Sequence, residues 1–228
     1  MTSDGPTISF DTAVLDLDGT LVDSVYQHVV AWRSAFQAVG MDVPAARIHR
    51  AIGMGGDRLV TEVAGRSAES AVGDEVRAIH DERFESLLPQ VSATEGAFEL
   101  LEALRRADLN VVVASSGDED ITEKLLTLVD AGEMLHAWVA GSDVEESKPA
   151  ADLLDLALEK VEGERAFVVG DAVWDVQTAH ERKFPCIGLL TGGISEAELR
   201  DAGASAVYAT PAELAEDLDR ALAALDGK

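Results

Sequence analysis

Positively charged residues are scarce in this 228-residue chain. It contains 18 Lys and Arg against 43 Asp and Glu, and its formal net charge is -25. Nonspecific nucleic-acid binding needs a surplus of basic residues, and anionic membranes attract basic surfaces. We therefore expect neither a nucleic acid nor a membrane as a partner. Only five of the basic residues are Lys, a bias compatible with a high-salt cytoplasm, although a GC-rich genome favours Arg over Lys in the same way.

Cysteines and long apolar runs are also scarce. Cys186 is the single cysteine, which excludes an internal disulfide. No Lys or Arg precedes Arg33, so the N-terminus lacks the charged region of a signal peptide. No apolar run approaches the length of a membrane span. Hydrophobic residues still make up 47% of the chain, enough for a sizeable core. We therefore expect a soluble, cytoplasmic protein.

Short apolar segments alternate with helical patterns over most of the chain. The predicted strands cover residues 13–17, 109–114, 136–140, 166–169, 187–190 and 206–208. This alternation predicts an α/β fold with a parallel sheet covered on both faces. Residues 24–89 contain helical patterns only, and Ser24 with Gln27 predicts a capping box at the start of the first helix. We predict a core of residues 1–23 and 91–228 and an inserted helical cap of residues 24–90.

Polar side chains follow the predicted strands of this core. They are Asp16 and Asp18 after the first strand, Ser115 and Ser116 after the second, Lys148 in the loop after the third, and Asp171 with Asp175 after the fourth. Taken singly, each has a structural explanation, such as a helix cap, a solvated loop lysine or an acid in a first helical turn. Ligands of parallel sheets bind beyond the carboxyl ends of the strands, however. We therefore expect these groups to converge on one site.

Phosphoryl transfer through an aspartyl-phosphate fits this set of side chains. A carboxylate can act as the nucleophile, and we assign that role to Asp16. Mg²⁺ between Asp16, Asp171 and the phosphate would neutralise the repulsion of like charges. Asp18 is placed to protonate the leaving oxygen and then to activate water. Lys148 and the Ser115 hydroxyl, with Ser116 beside it, would bind phosphate oxygens.

The same residues resemble four motifs of the haloacid dehalogenase superfamily, specifically its phosphatases with an inserted helical (C1-type) cap, which are phosphoglycolate phosphatase-like or beta-phosphoglucomutase-like. Residues 16–24 resemble the first motif, Ser115 the second, Lys148-Pro149 the third, and Gly170-Asp171 with Asp175 the fourth. The resemblance covers about residues 12–210. It implies a Rossmann-like core with the sheet order five-four-one-two-three. It also implies Mg²⁺ held by Asp16, the Asp18 main-chain carbonyl and Asp171, with Asp175 orienting the metal shell or Lys148.

The predicted cap loop of residues 53–58 should face this site and set specificity. Gly53 and the neighbouring glycines let the backbone approach a ligand. Arg50 and Arg58 are the nearby cations for an anionic substrate, unless they are solvated helix residues. The resemblance places His28 near the site.

Three functions remain open from the sequence. The first is a Mg²⁺-dependent phosphatase, monomeric or homodimeric, that acts on a small phosphorylated metabolite, phosphoglycolate-like in its chemistry. The second is a sugar-phosphate mutase. Beta-phosphoglucomutases, however, carry a lysine and an arginine in the cap loop, and Ile52 and Gly56 stand at the similar positions here. The third is a noncatalytic ligand-binding protein on the same scaffold.

Overall fold

A six-stranded parallel sheet organises the chain in the computed structural model, which describes residues 10–143 and 152–226. The strands along the chain are β1 (Thr12–Leu15), β2 (Val22–Asp23), β3 (Ser92–Ala93), β4 (Asn110–Ala114), β5 (Ala137–Val139), β6 (Ala166–Gly170), β7 (Cys186–Leu189) and β8 (Ala206–Tyr208). The large sheet has the order β5-β4-β1-β6-β7-β8, and β2 and β3 form a separate antiparallel pair. When the strands of the large sheet are numbered one to six along the chain, their order is six-five-four-one-two-three. This is the predicted order with a sixth strand added at one edge, so the fold prediction is confirmed.

The α-helices fall into two groups. Between β2 and β3 lie α1 (Val25–Ala38), α2 (Ala45–His49), α3 (Gly56–Ala64) and α4 (Arg66–Leu87). After β3 come α5 (Ala97–Arg106), α6 (Glu119–Leu128), α7 (Asp152–Val161), α8 (Val173–Glu181), α9 (Glu196–Ala202), α10 (Pro211–Glu216) and α11 (Leu218–Asp226). None of the helices in the described residues is long and apolar enough to cross a membrane.

The central strands are buried on both faces. Along β4, Val111 and Val113 pack into one hydrophobic cluster, whereas Val112 packs into another. Side chains of a strand alternate between the faces of the sheet, so these clusters are the two layers that the helices of the second group cover. Continuous apolar strands of this kind are typical of a parallel sheet.

The four helices between β2 and β3 have a hydrophobic cluster of their own. It includes Trp32, Phe36, Ile48 and Val60, all of which are buried. The short strands β2 and β3 pair side by side where the chain leaves and re-enters the sheet region. These features agree with the inserted cap, whose boundaries at residues 24 and 90 remain a prediction.

Two local predictions fail. The first strand ends at Leu15, two residues early, because the backbone N–H groups of Thr20, Leu21 and Val22 all donate to the Leu17 carbonyl and turn the chain. The predicted capping box at Ser24 does not form, since the Ser24 side chain makes no capping bond to α1. Its hydroxyl donates to Asp18 instead.

Candidate active site

Asp16, Asp171 and Asp175 meet at the carboxyl end of the sheet. Asp16 continues the pairing of β1 with β6, because its N–H donates to the Val169 carbonyl at 2.9 Å. One carboxylate oxygen from each of the three aspartates lies within 4.8 Å of the others. Their side chains are almost fully buried, with 5%, 3% and 1% of the residue surface exposed. Three acids from two neighbouring strand ends therefore share one small volume.

Two glycines leave space for the Asp171 carboxylate. A Cβ at Gly19, whose φ is +83°, would lie 2.4 Å from Asp171 Oδ2, and a Cβ at Gly192 would lie 1.7 Å from the same oxygen. The Thr20 hydroxyl donates to Asp171 Oδ1 at 3.1 Å. Asp175 Oδ2 accepts the Ala172 N–H at 3.1 Å. The backbone and these bonds hold both carboxylates in fixed positions.

This carboxylate cluster fits a magnesium ion. Its donors are all oxygen atoms, as Mg²⁺ prefers. Buried carboxylates this close repel one another unless a cation or a proton compensates them. Asp16 and Asp171 are two of the ligands that the sequence predicts, and Asp175 lies beside them.

Asp18 occupies a different environment from Asp16. The Ser24 hydroxyl donates to Asp18 Oδ1, and His28 Nε2 lies 3.0 Å from the same oxygen. The side chain of Asp18 is 16% exposed. A partly exposed carboxyl beside an imidazole can gain and lose a proton, which suits an acid/base group.

His28 is itself held by His80, to which the sequence assigned no role. His28 Nδ1 lies 3.0 Å from His80 Nε2, and His80 Nδ1 lies 2.8 Å from Asp81 Oδ1. Burial lowers the pKa of His80 to about 4, so this imidazole is neutral at pH 7. Asp81 accepts its Nδ1–H, which leaves His80 Nε2 to accept from His28 Nδ1–H.

This chain of bonds has a consequence for Asp18. Because His28 Nδ1 donates to His80, the short contact between His28 Nε2 and Asp18 Oδ1 needs one proton, carried by one of these two atoms. Aromatic stacking fixes the geometry. The His28 ring lies 3.7 Å from the Phe84 ring, and the His80 ring lies 4.0 Å from the Trp32 ring, measured between centroids. The carboxyl of Asp18 and the imidazole of His28 are therefore held together at the cavity wall.

A cavity of about 260 Å³ opens above Asp16 and Asp18. Its walls come from the sheet end and from the helices between β2 and β3. Apolar and aromatic residues form much of the wall, namely Trp32, Ile52, Met54, Leu59, Phe84 and Ile121. Polar groups complete it, namely His28, Arg77, His80, Asp81, Ser116, Asp118 and Ser142.

The structure brings some of the other predicted site residues to this cavity. Ser116 and Gly53 line it. Ser115 is buried at the end of β4, where its Oγ accepts the Gly117 N–H at 3.1 Å. Lys148 lies outside the described residues. Ser115 and Lys148 therefore stay predicted phosphate ligands.

The two cap arginines do not line the cavity. Arg50 is exposed, and its guanidinium pairs with Glu198 on α9. Together with Ser195, Arg50 lowers the pKa of Glu198 to about 2. Arg58 lies in the first turn of α3 and is not among the residues around the cavity. Contacts to the substrate remain predictions for both residues.

Comparison with known proteins agrees with this geometry. The model of the haloacid dehalogenase-like hydrolase family matches residues 10–181. The chain belongs to this family. A crystal structure of a hydrolase from Pseudomonas syringae is 35% identical, with a TM-score of 0.87, and the match covers 92% of this chain and 98% of that one.

Two curated relatives of this haloacid dehalogenase-like hydrolase are phosphatases. Validoxylamine A 7'-phosphate phosphatase from Streptomyces hygroscopicus is 27% identical, over 82% of this chain and 89% of the relative. Phosphoglycolate phosphatase 1 from Pseudomonas aeruginosa is 28% identical, over 78% of this chain and 69% of the relative. The family predicted from the four motifs, and with it the prediction of an enzyme, is confirmed.

Proposed function

We propose that this hydrolase is a Mg²⁺-dependent phosphatase that cleaves a small phosphate monoester through an aspartyl-phosphate. The observation that carries the proposal is the position of Asp16. Its buried carboxylate lies in the cluster with Asp171 and Asp175, and it faces the same cavity as Asp18. The candidate nucleophile, Asp16, therefore faces one cavity with the candidate acid, Asp18, and also belongs to the candidate cation site.

The residues divide the reaction into two steps. Asp16 attacks the phosphorus atom and becomes the aspartyl-phosphate, while the proton between Asp18 and His28 passes to the leaving oxygen. Asp18 then takes a proton from water, whose oxygen attacks the phosphorus atom of the aspartyl-phosphate. The bond from phosphorus to the Asp16 oxygen breaks, inorganic phosphate leaves and the Asp16 carboxylate is restored. Ser115 and Ser116, at the end of β4, would bind phosphate oxygens, as would Lys148.

Asp16, Asp171 and the Asp18 main-chain carbonyl would hold the magnesium ion, with Asp175 beside them. When bound, the ion supplies positive charge to the phosphate oxygens. Asp16 would otherwise repel the phosphate dianion. Burial also excludes bulk water, so these electrostatic interactions are stronger than they would be in solution.

The test is phosphate release from a panel of monoesters, including p-nitrophenyl phosphate, in Mg²⁺ and in EDTA. We expect release in Mg²⁺ only, and none from Asp16→Asn, because an amide is a poor nucleophile. Asp42→Asn, which changes an exposed loop acid, is the matched control and should keep full activity. Unchanged activity in Asp16→Asn would refute the nucleophile. No release from any ester would refute the phosphatase.

A further inference from the structure

We infer that the alcohol released from the substrate is neutral or cationic, and that the cavity selects against esters with a second anionic group. This inference rests on the proposed phosphatase function and names its substrate class. It comes from the charges of the cavity wall away from Asp16, where the leaving group must lie.

Arg77, on α4, is the one lysine or arginine that lines the cavity among the described residues. Its guanidinium is already occupied by carboxylates. Nη1 and Nη2 donate to the two oxygens of Glu69 at 3.0 and 2.8 Å, and Nη2 also donates to Asp74 at 2.7 Å. The hydrogen bond that Arg77 donates to Glu69 is the main reason that the pKa of Arg77 is raised. Two negative charges therefore surround one positive charge.

The ion pair between Arg77 and Glu69 requires a residue without a side chain between them on the surface of α4. The residues are eight positions apart, which is about 12 Å along a helix axis. Gly73 lies midway between them. A Cβ at Gly73 would lie 2.6 Å from Glu69 Oε1, so the glycine opens the path along which Glu69 reaches the guanidinium. The neutralisation of Arg77 is thus built into α4.

The remaining charged groups of the wall are acidic. Asp81 lines the cavity with 59% of its side chain exposed, and it accepts the His80 Nδ1–H. Asp118, at the N-terminus of α6, also lines the cavity and accepts the Asp120 N–H at 3.0 Å. His80 adds no positive charge at neutral pH, because burial lowers its pKa to about 4.

The wall therefore offers a leaving group apolar surface, hydrogen-bond acceptors and excess negative charge. A carboxylate or a second phosphate there would face like charges, and Arg77, the one lysine or arginine of the wall among the described residues, already pairs with carboxylates. A hydroxyl can donate to Asp81 or Asp118, and an ammonium group gains attraction as well. Specificity would then come from repulsion of the wrong substrate as much as from attraction of the right one.

Two matched series of esters test this inference. The two-carbon series is 2-phosphoglycolate, 2-hydroxyethyl phosphate and phosphoethanolamine. The six-carbon series is 6-phosphogluconate, glucose 6-phosphate and glucosamine 6-phosphate. In the series that the enzyme accepts, we expect kcat/KM for the neutral and cationic esters to exceed that for the anionic ester by about tenfold or more.

Variants of α4 test the cause. Glu69→Gln and Gly73→Ala should each leave Arg77 with one carboxylate partner, Asp74, in place of two. Both should raise the ratio of kcat/KM for the anionic ester to that for the neutral ester by several-fold. Glu102→Gln, which removes a surface partner of Arg106, is the matched control and should leave the ratio unchanged.

The outcomes separate the inference from the function on which it rests. Equal or faster hydrolysis of the anionic esters would overturn the inference and leave the phosphatase standing. An unchanged ratio in both α4 variants would overturn the role of Arg77. Absence of phosphate release from all six esters and from p-nitrophenyl phosphate would overturn both the inference and the phosphatase.

Discussion

Replacement of Asp171 by asparagine should change how magnesium affects stability. Two unit charges 4.8 Å apart repel by about 3 kcal/mol at an effective dielectric constant near 20, and 4.8 Å is the upper limit of the oxygen separations in the cluster. The variant removes the charge of one of three buried carboxylates but keeps an oxygen that can accept the Thr20 hydroxyl. Without metal, Asp171→Asn should therefore be more stable than the wild type, by about 3 kcal/mol or more for each relieved pair.

Magnesium should narrow that difference. At a free concentration 100 times Kd, a bound ion stabilises the folded state by about 2.7 kcal/mol. For a chain of this size, 1 kcal/mol corresponds to about 2–4 °C in Tm. The wild type should gain about 5–11 °C by this reasoning. If the loss of one charged ligand weakens binding about 100-fold, the variant gains only about 0.4 kcal/mol.

Differential scanning calorimetry in EDTA and over a magnesium titration measures both effects. Asp42→Asn, in an exposed loop, is the matched control and should show the wild-type shift. A magnesium-dependent shift in Asp171→Asn equal to that of the wild type would refute the assignment of Asp171 as a ligand. A metal-free variant less stable than the wild type would refute the argument from repulsion.

Three further changes probe the neighbouring groups. Burial lowers the pKa of His80 from 6.5 to about 4. The unfolded chain therefore binds more protons between these values, and the free energy of unfolding should fall by up to about 3 kcal/mol as pH drops through that window. His80→Gln should lose this part of the pH dependence of the free energy of unfolding, measured by urea titrations at a series of pH values. An unchanged dependence of that free energy on pH would contradict the prediction. Ser24→Ala should lower kcat about tenfold or more, with KM nearly constant, because its hydroxyl donates to the acid/base carboxylate; a change in Tm alone would indicate a purely structural role. Gly192→Ala should abolish the magnesium-dependent shift in Tm, since the new Cβ would occupy the position of Asp171. Gly132→Ala, which has open space around it, is its control.

The sequence predicted the sheet and its order because both depend on local patterns and on one resemblance. Apolar runs such as Val111–Val113 are buried on both faces, so their composition already indicates a central parallel strand. The acids of the site were equally visible. Asp16 and Asp171 stand directly after strands, and parallel strands bring such positions to one edge of the sheet.

Contacts between distant helices were not visible in this way. His28 and His80 lie on α1 and α4, and no sequence spacing relates two residues 52 positions apart. Ser24 satisfies the pattern of a helix cap, yet a tertiary partner, Asp18, takes its hydroxyl. A serine hydroxyl at this position can bond either to the start of the helix or to a nearby side chain. Packing places the Asp18 carboxylate within its reach, so the local preference for a cap is overridden.

The sequence by itself predicted the candidate nucleophile, the candidate acid and the scaffold that carries them, since these predictions follow from residue types at strand ends. Only the tertiary structure decided what surrounds the leaving group. In the sequence alone, Arg77 is one more cation on a predicted helix. Whether its charge is available to a ligand depends on where Glu69 and Asp74 lie. The three residues share α4, and the packing of this helix against the cavity decides that their charges face a bound leaving group. Charges act strongly on one another only over a few ångströms, so this placement sets the electrostatic character of the site.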